Sequence, residues 1–152
     1  MDWTRGAHAI STDPSRLDRD LIHRFLSQEA YWSMGIPRTV VERSIDHSIP
    51  FGLYEGSEQV GFARVVTDHS AFAYLGDVFV LESHRGKGLG VWLVETILAH
   101  PDLQRLRTML LFTNDAHGLY RRFGFQAMGE ERVRQALTLN RGPEELYGSP
   151  QT

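Results

Sequence analysis

The feature that most constrains this chain is a glycine-rich turn set between two different periodicities. Ala71 to Val80 is apolar on both faces apart from Asp77, the pattern of a central strand covered on each side. After Leu81 to His84 comes Arg85-Gly86-Lys87-Gly88-Leu89-Gly90. Leu89, Trp92, Leu93, Thr96 and Ile97 then recur at the spacing of an amphipathic helix that stops near Pro101. Glycines at alternate positions let the backbone approach a ligand closely and adopt torsions closed to other residues. A helix that starts there presents unpaired N–H groups and the positive end of its dipole, and Arg85 and Lys87 add formal charge. The turn is therefore expected to be a phosphate site, the other reading being a glycine-rich strand-to-helix turn that binds nothing. Its spacing is not G-x-x-x-x-G-K-S/T, which disfavours a P-loop, and Val91 and Leu93 break G-x-G-x-x-G, so the dinucleotide fingerprint fails.

The surrounding pattern predicts one α+β domain over residues 1–152, with its core between about 7 and 140. Ala7 to Thr12 reads as a first strand, and the pattern turns helical from Ser15, with Leu17, Leu21 and Phe25 four apart. Tyr31 to Pro37 reads as a loop, followed by a second helix carrying Val41 and Ile45. Phe51 to Tyr54 and Gln59 to Thr67 read as strands joined by a turn at Glu55 to Glu58, with Val60, Phe62, Arg64 and Val66 on one face of the longer one. Thr108 to Thr113 is expected to be a buried strand and Asp115 to Phe123 a short helix broken at Gly124. Phe125 to Met128 and Val133 to Leu139 are expected to form a closing hairpin, and 141–152 a loosely ordered tail.

Composition removes several function classes. The 152 residues carry a formal net charge of -3, so the chain as a whole exerts no pull toward nucleic acid. There is no cysteine, which excludes disulfides, thiolate-bound zinc and a thiol nucleophile. The seven histidines show no i, i+4 pair of the HExxH kind, so no metal is expected. Apolar runs such as Met109 to Phe112 are too short to span a bilayer, and the start, Met1 to Gly6, lacks the apolar stretch of a signal peptide. No membrane partner and a cytoplasmic location are the expectations.

Arg85-x-x-Gly88-x-Gly90 at a strand-to-helix junction resembles the R/Q-x-x-G-x-G/A motif of the GNAT acyltransferases. About thirty residues on, Asn114-Asp-Ala-His-Gly-Leu-Tyr-Arg-Arg-Phe-Gly-Phe125 is similar to the second signature of that family, in which an Asn precedes Tyr-x-x-x-Gly-Phe. The resemblance covers residues 51–125 and implies a mixed, strongly twisted sheet flanked by helices, with acetyl-CoA as co-substrate. It implies that the backbone of Val78, Phe79 and Val80 pairs with the pantetheine arm. Arg85, Gly86, Lys87, Gly88, Leu89, Gly90 and Val91 would cradle the pyrophosphate, with Asn114 and His117 beside the cofactor arm. The reaction implied is direct attack of a small-molecule amine on the thioester in a ternary complex. A peptide acceptor and a CoA-binding module without turnover are the alternatives, and a homodimer is compatible with the family.

Tyr120 stands where the family places a tyrosine that protonates the departing thiolate. A phenol of pKa about 10 facing a thiol of about 8.5 is protonated at neutral pH and able to donate; the other reading is a core tyrosine packed before Gly124-Phe125. Asp77, a carboxylate in an apolar strand, needs a partner or a task. Base, anchor for the acceptor ammonium, and ion pair with Arg64 are all open. Arg64 itself fits either a carboxylate on the acceptor or neutralisation of Asp77. Tyr31 and Trp32 fall in the loop that often covers the acceptor in this family, as a wall or as packing.

Overall fold

A computed structural model describes residues 1–148. It divides into two compact units, Met1–Phe112 and Thr113–Thr152, each taken by itself below. The first contains a six-stranded sheet in the order β1 (Asp2–Arg5), β2 (His8–Ser11), β3 (Ile49–Glu55), β4 (Glu58–Thr67), β5 (Phe72–Val80) and β6 (Thr108–Leu110). Neighbours are antiparallel except β5 and β6, which are parallel. The parallel pair needs a crossover, and α3 (Leu89–Leu98) lies on it.

The two faces of the sheet are covered by different helices. Phe62 and Phe79, directly opposed across β4 and β5, form one core cluster with Ile22, Phe25 and Leu26 of α1 (Arg19–Gln28) and Val41 and Ile45 of α2 (Arg38–Asp46). The Phe25 and Phe79 rings stack at 3.9 Å between centroids, so β5 is pinned to α1 near its C-terminal end. On the opposite face Phe51 lies beside Ala63, and His100 and Trp3 pack on the Phe51 ring. There α3 packs against β3 and β5, burying Leu89, Trp92, Leu93, Val94, Thr96 and Ile97. Removing a buried phenylalanine such as Phe62 or Phe79 costs about 3–5 kcal/mol.

Several expectations need correction. The first strand is shorter than 7–12 and is preceded by β1, an exposed edge in which only Trp3 is half-buried, so it carries almost no apolar signal. The first helix starts not at Ser15 but at Arg19. A 3-10 turn occupies Pro14–Arg16, and Asp18 caps α1 by accepting from the Leu21 N–H at 2.9 Å. β6 stops at Leu110, and its residues are half-buried rather than buried.

The second unit contains α4 (His117–Arg121), α5 (Glu130–Gln135) and α6 (Pro143–Tyr147). The expected closing hairpin is absent from the described residues: 125–128 form no strand, and Val133 lies in α5. Glu130 and Glu131 at the first turn, Arg132 and Arg134 at the last, and a Glu130–Arg134 pair four apart favour the helix locally. The expected loose tail contains α6, and its residues from 149 on lie outside the described residues.

Asp68 makes the turn into β5. Its Oδ1 accepts from the N–H groups of Ser70, Ala71 and Phe72 at 3.0, 2.8 and 3.0 Å, which lowers its pKa to about 2. A carboxyl depressed below its usual 3.8 stabilises the fold fully above that value and loses the contribution as pH falls toward about 2. Asp68→Asn is expected to lower Tm at pH 7, and the gap to the parent protein to close between about pH 4 and pH 2 in thermal melts.

Candidate active site

The cradle is built by two left-handed glycines. Gly86 and Gly88 have φ of 77° and 75°, and a Cβ at either would meet nothing within 4 Å, so backbone torsion rather than space calls for glycine. Gly88 is the N-cap of α3, and the first intrahelical bond runs from the Trp92 N–H to the Gly88 carbonyl. The N–H groups of Leu89, Gly90 and Val91 therefore face out of the helix N-terminus as donors. Arg85 and Lys87 are exposed beside them, and Arg85 Nε donates to the Val80 carbonyl at 3.0 Å, tying the turn to the end of β5. His84 is half-buried beside the turn: its Nε2 lies 2.7 Å from Glu55 Oε2, with Ser83 Oγ on its other ring nitrogen. That hydrogen bond and the neighbouring charges of His84, Lys87 and His8 hold the Glu55 carboxyl below its ordinary pKa.

Next to the cradle, β5 leaves its parallel neighbour. The ladder to β6 pairs Phe72, Ala73 and Tyr74 with Thr108, Met109 and Leu110, while β5 continues to Val80. Along that continuation β4 and β5 lose register: Phe62 opposes Phe79 and Arg64 opposes Gly76, so two steps on β4 face three on β5. This is a β-bulge, and Asp77 in it has φ of 54°. Close approach of the strands is set by Gly61, where a Cβ would sit 2.8 Å from the Phe79 carbonyl oxygen. Val78, Phe79 and Val80 thus present one backbone edge away from β4, next to donors that suit a diphosphate.

The bulge gathers the polar residues read from the sequence. Asp77 Oδ2 accepts from Arg64 Nε at 2.5 Å, and Oδ1 accepts from Trp32 Nε1 at 3.2 Å. The Arg64 and Asp77 side chains are 17% and 13% exposed, so the pair is shielded enough to be costly to break. Arg64 Nη1 donates to Ser48 Oγ at 3.2 Å. Of the three sequence readings of Asp77, the ion pair is the one observed. Trp32 and Tyr31 are about half exposed and meet edge-on at 5.0 Å. Their loop is anchored to the sheet through Trp32.

Asn114, His117 and Tyr120 belong to the second unit. His117 opens α4 and Tyr120 is buried, its ring edge-on to Phe125 at 5.8 Å. Gly124, with φ of 91°, follows the last turn, and the Phe125 N–H returns to the Tyr120 carbonyl, as a helix ending at glycine does.

Sequence reasoning missed Ser48, Gly61, Glu55 and Tyr74. The Tyr74 ring lies across Gly76, whose Cβ would fall 2.8 Å from it, and burial, followed by the Asp77 charge, pushes its phenol pKa up. Only a glycine in mid-strand marks such places in sequence, since it signals close approach. Among the described residues no group of side chains could hold a metal ion, and no helix is long and apolar enough to cross a membrane.

The comparisons with known proteins agree with this geometry. The family model described as the acetyltransferase (GNAT) domain matches residues 46–127. A candidate acetyltransferase of Gibberella zeae is 36% identical over 140 residues, covering 77% of this chain and 78% of that protein. The spermine/spermidine N(1)-acetyltransferase of Bacillus subtilis is 33% identical over 93 residues, 53% of this chain and 61% of that protein. A crystal structure of a candidate GNAT acetyltransferase from Xanthomonas campestris has a TM-score of 0.85 at 49% identity, over 93% of this chain and 97% of that one. With the glycine cradle, the strand that outruns its partner and these relatives all in accord, the chain belongs to the GNAT family of acetyltransferases.

Proposed function

We propose that this acetyltransferase uses acetyl-CoA to acetylate the primary amine of a small molecule. The observation that carries the reading is the run of β5 past the end of β6, through the bulge and into the cradle. A strand with one free backbone edge suits an amide-bearing arm, and the donors of Leu89, Gly90 and Val91 suit the diphosphate at its end. Acetyl-CoA supplies the activated acetyl group. The residues of the chain hold, orient and shuttle protons.

Val78, Phe79 and Val80 are the strand positions assigned to the cofactor arm, and Arg85 to Val91 the positions assigned to its phosphates. Amides near Val80 are assigned to polarise the carbonyl oxygen. Asp77, with both oxygens engaged, acts as a positioning residue that holds Arg64 and Trp32 rather than as the base. Water then takes the acceptor proton. From the motif that carries them, Tyr120 is assigned as the acid that protonates the leaving thiolate, and Asn114 and His117 are assigned to the cofactor. Tyr31 and Trp32 supply the aromatic wall of the acceptor side. The spermine/spermidine relative acts on polyamines by its name, and an amine acceptor is the part of that description carried over here.

Titration calorimetry with CoA tests the cradle. Binding is expected for the parent protein and at least tenfold weaker binding for Gly61→Ala, because the added methyl must displace the Phe79 backbone. The same variant is expected to lose about 1–3 kcal/mol in denaturant unfolding. No heat from the parent protein would overturn the assignment. In thiol-release assays across an amine panel, Tyr120→Phe is expected to reduce turnover about 10²–10⁴-fold. An unchanged rate removes Tyr120 from the chemistry.

A further inference from the structure

On the α1/α2 face of the sheet, beside the bulge, α2 and β4 enclose an open cleft of about 640 Å³. That is the size of a small-molecule site. Its polar lining is Thr39, Arg43, Ser44, His47, Ser48 and Arg64. Arg43 and Ser44 lie in the last turn of α2, His47 is its C-cap and Ser48 follows it, so the end of this helix supplies most of the polar lining.

The charge balance of this cleft is one-sided. The carboxylates next to it in sequence are taken: Glu42 and Asp46 bond Arg38 and Arg19, and Asp77 bonds Arg64. Arg43 has no ion-pair partner among the described residues. Counting Arg43 and Arg64 against Asp77 leaves the cleft one positive charge before His47 is considered. Arg64 is held by Asp77 and Ser48 through Nε and Nη1, which fixes its plane and leaves further N–H groups of its guanidinium for another acceptor. A guanidinium fixed in this way is suited to an oxyanion, which it can meet through two parallel bonds. A polycation finds no unpaired carboxylate in the lining.

We propose that this cleft binds an oxyanion of the acceptor, a carboxylate or a phosphate, through Arg43 and Arg64, so that the acceptor is a small amine carrying both charges. The proposal rests on the reading above that Tyr31 and Trp32, in the loop after α1, wall the acceptor side, since Trp32 and Arg64 bond the same Asp77 carboxylate. It names which amine is chosen and separates this chain from polyamine acetylation.

The test is calorimetry of matched amines against the protein with and without CoA. The probes are the straight-chain amino acids from glycine to 6-aminohexanoate, each with its own amide, phosphoethanolamine with ethanolamine, and spermidine. At least one oxyanion-bearing amine is expected to bind tenfold or more tightly than its neutral counterpart. The arm that does so distinguishes carboxylate from phosphate. Arg43→Gln, at an exposed helix position, is expected to bring that ratio close to one, and Arg43→Lys to restore part of it. Equal binding of charged and neutral partners, tighter binding of spermidine, binding of none of the probes, or a ratio untouched by Arg43→Gln overturns the proposal. Thiol release is measured on the same panel. Turnover without discrimination removes the anion site and leaves the acetyltransferase reading intact, whereas loss of CoA binding and of all turnover fails that reading itself.

Discussion

The site rests on a break in β5 that is held in place by charge. A non-glycine residue with positive φ inside a strand is strained, and Asp77 adopts it where the ladder to β4 takes up one extra residue. What holds it is a carboxylate with two donors, one from the neighbouring strand and one from a loop after α1. Aspartate tolerates this region better than a bulky or β-branched residue, so the identity of the side chain serves both the torsion and the ion pair. The bulge changes the direction of the strand, and the consequence is a backbone edge that ends beside the helix N-terminus at Gly88.

The parts of this arrangement that could be read from the sequence are those with strong local chemistry. The cradle announced itself because three glycines and a helix stripe in a row leave few alternatives, and Val41 and Ile45 marked the face of α2 in the same way. Arg64 and Asp77 stood out as charges in apolar strands, and their pairing was among the readings open for them. The bulge itself was not legible, since a register shift is a relation between two strands that neither strand encodes alone. The same holds for Ser48, whose role depends on where α2 ends relative to Arg64.

The failures have a common cause. β1 was missed because an exposed edge strand has no apolar face to display. The segment after Gly129 was read as a strand from Val133, Leu137 and Leu139. Its charges satisfy a helix within one or two turns, and Leu137 and Leu139 are 96% and 85% exposed. Short segments of this kind are decided by tertiary context, which outweighs pattern where few residues are buried. The role of Tyr120 is read from the motif, while the anchoring of Trp32 is a contact that no periodicity names.

The Trp32 indole has a further consequence, because it links two elements that the sheet does not join. It joins the loop after α1 to the very residue that bends β5. If a molecule that displaces this loop also shifts the carboxylate that holds the bulge, occupancy on one side carries a free-energy term on the other. Thermodynamic reciprocity then requires the two equilibrium affinities to change by one shared factor, whichever ligand arrives first. An ordered kinetic scheme in such a protein would reflect this joint at the indole as much as any steric gate.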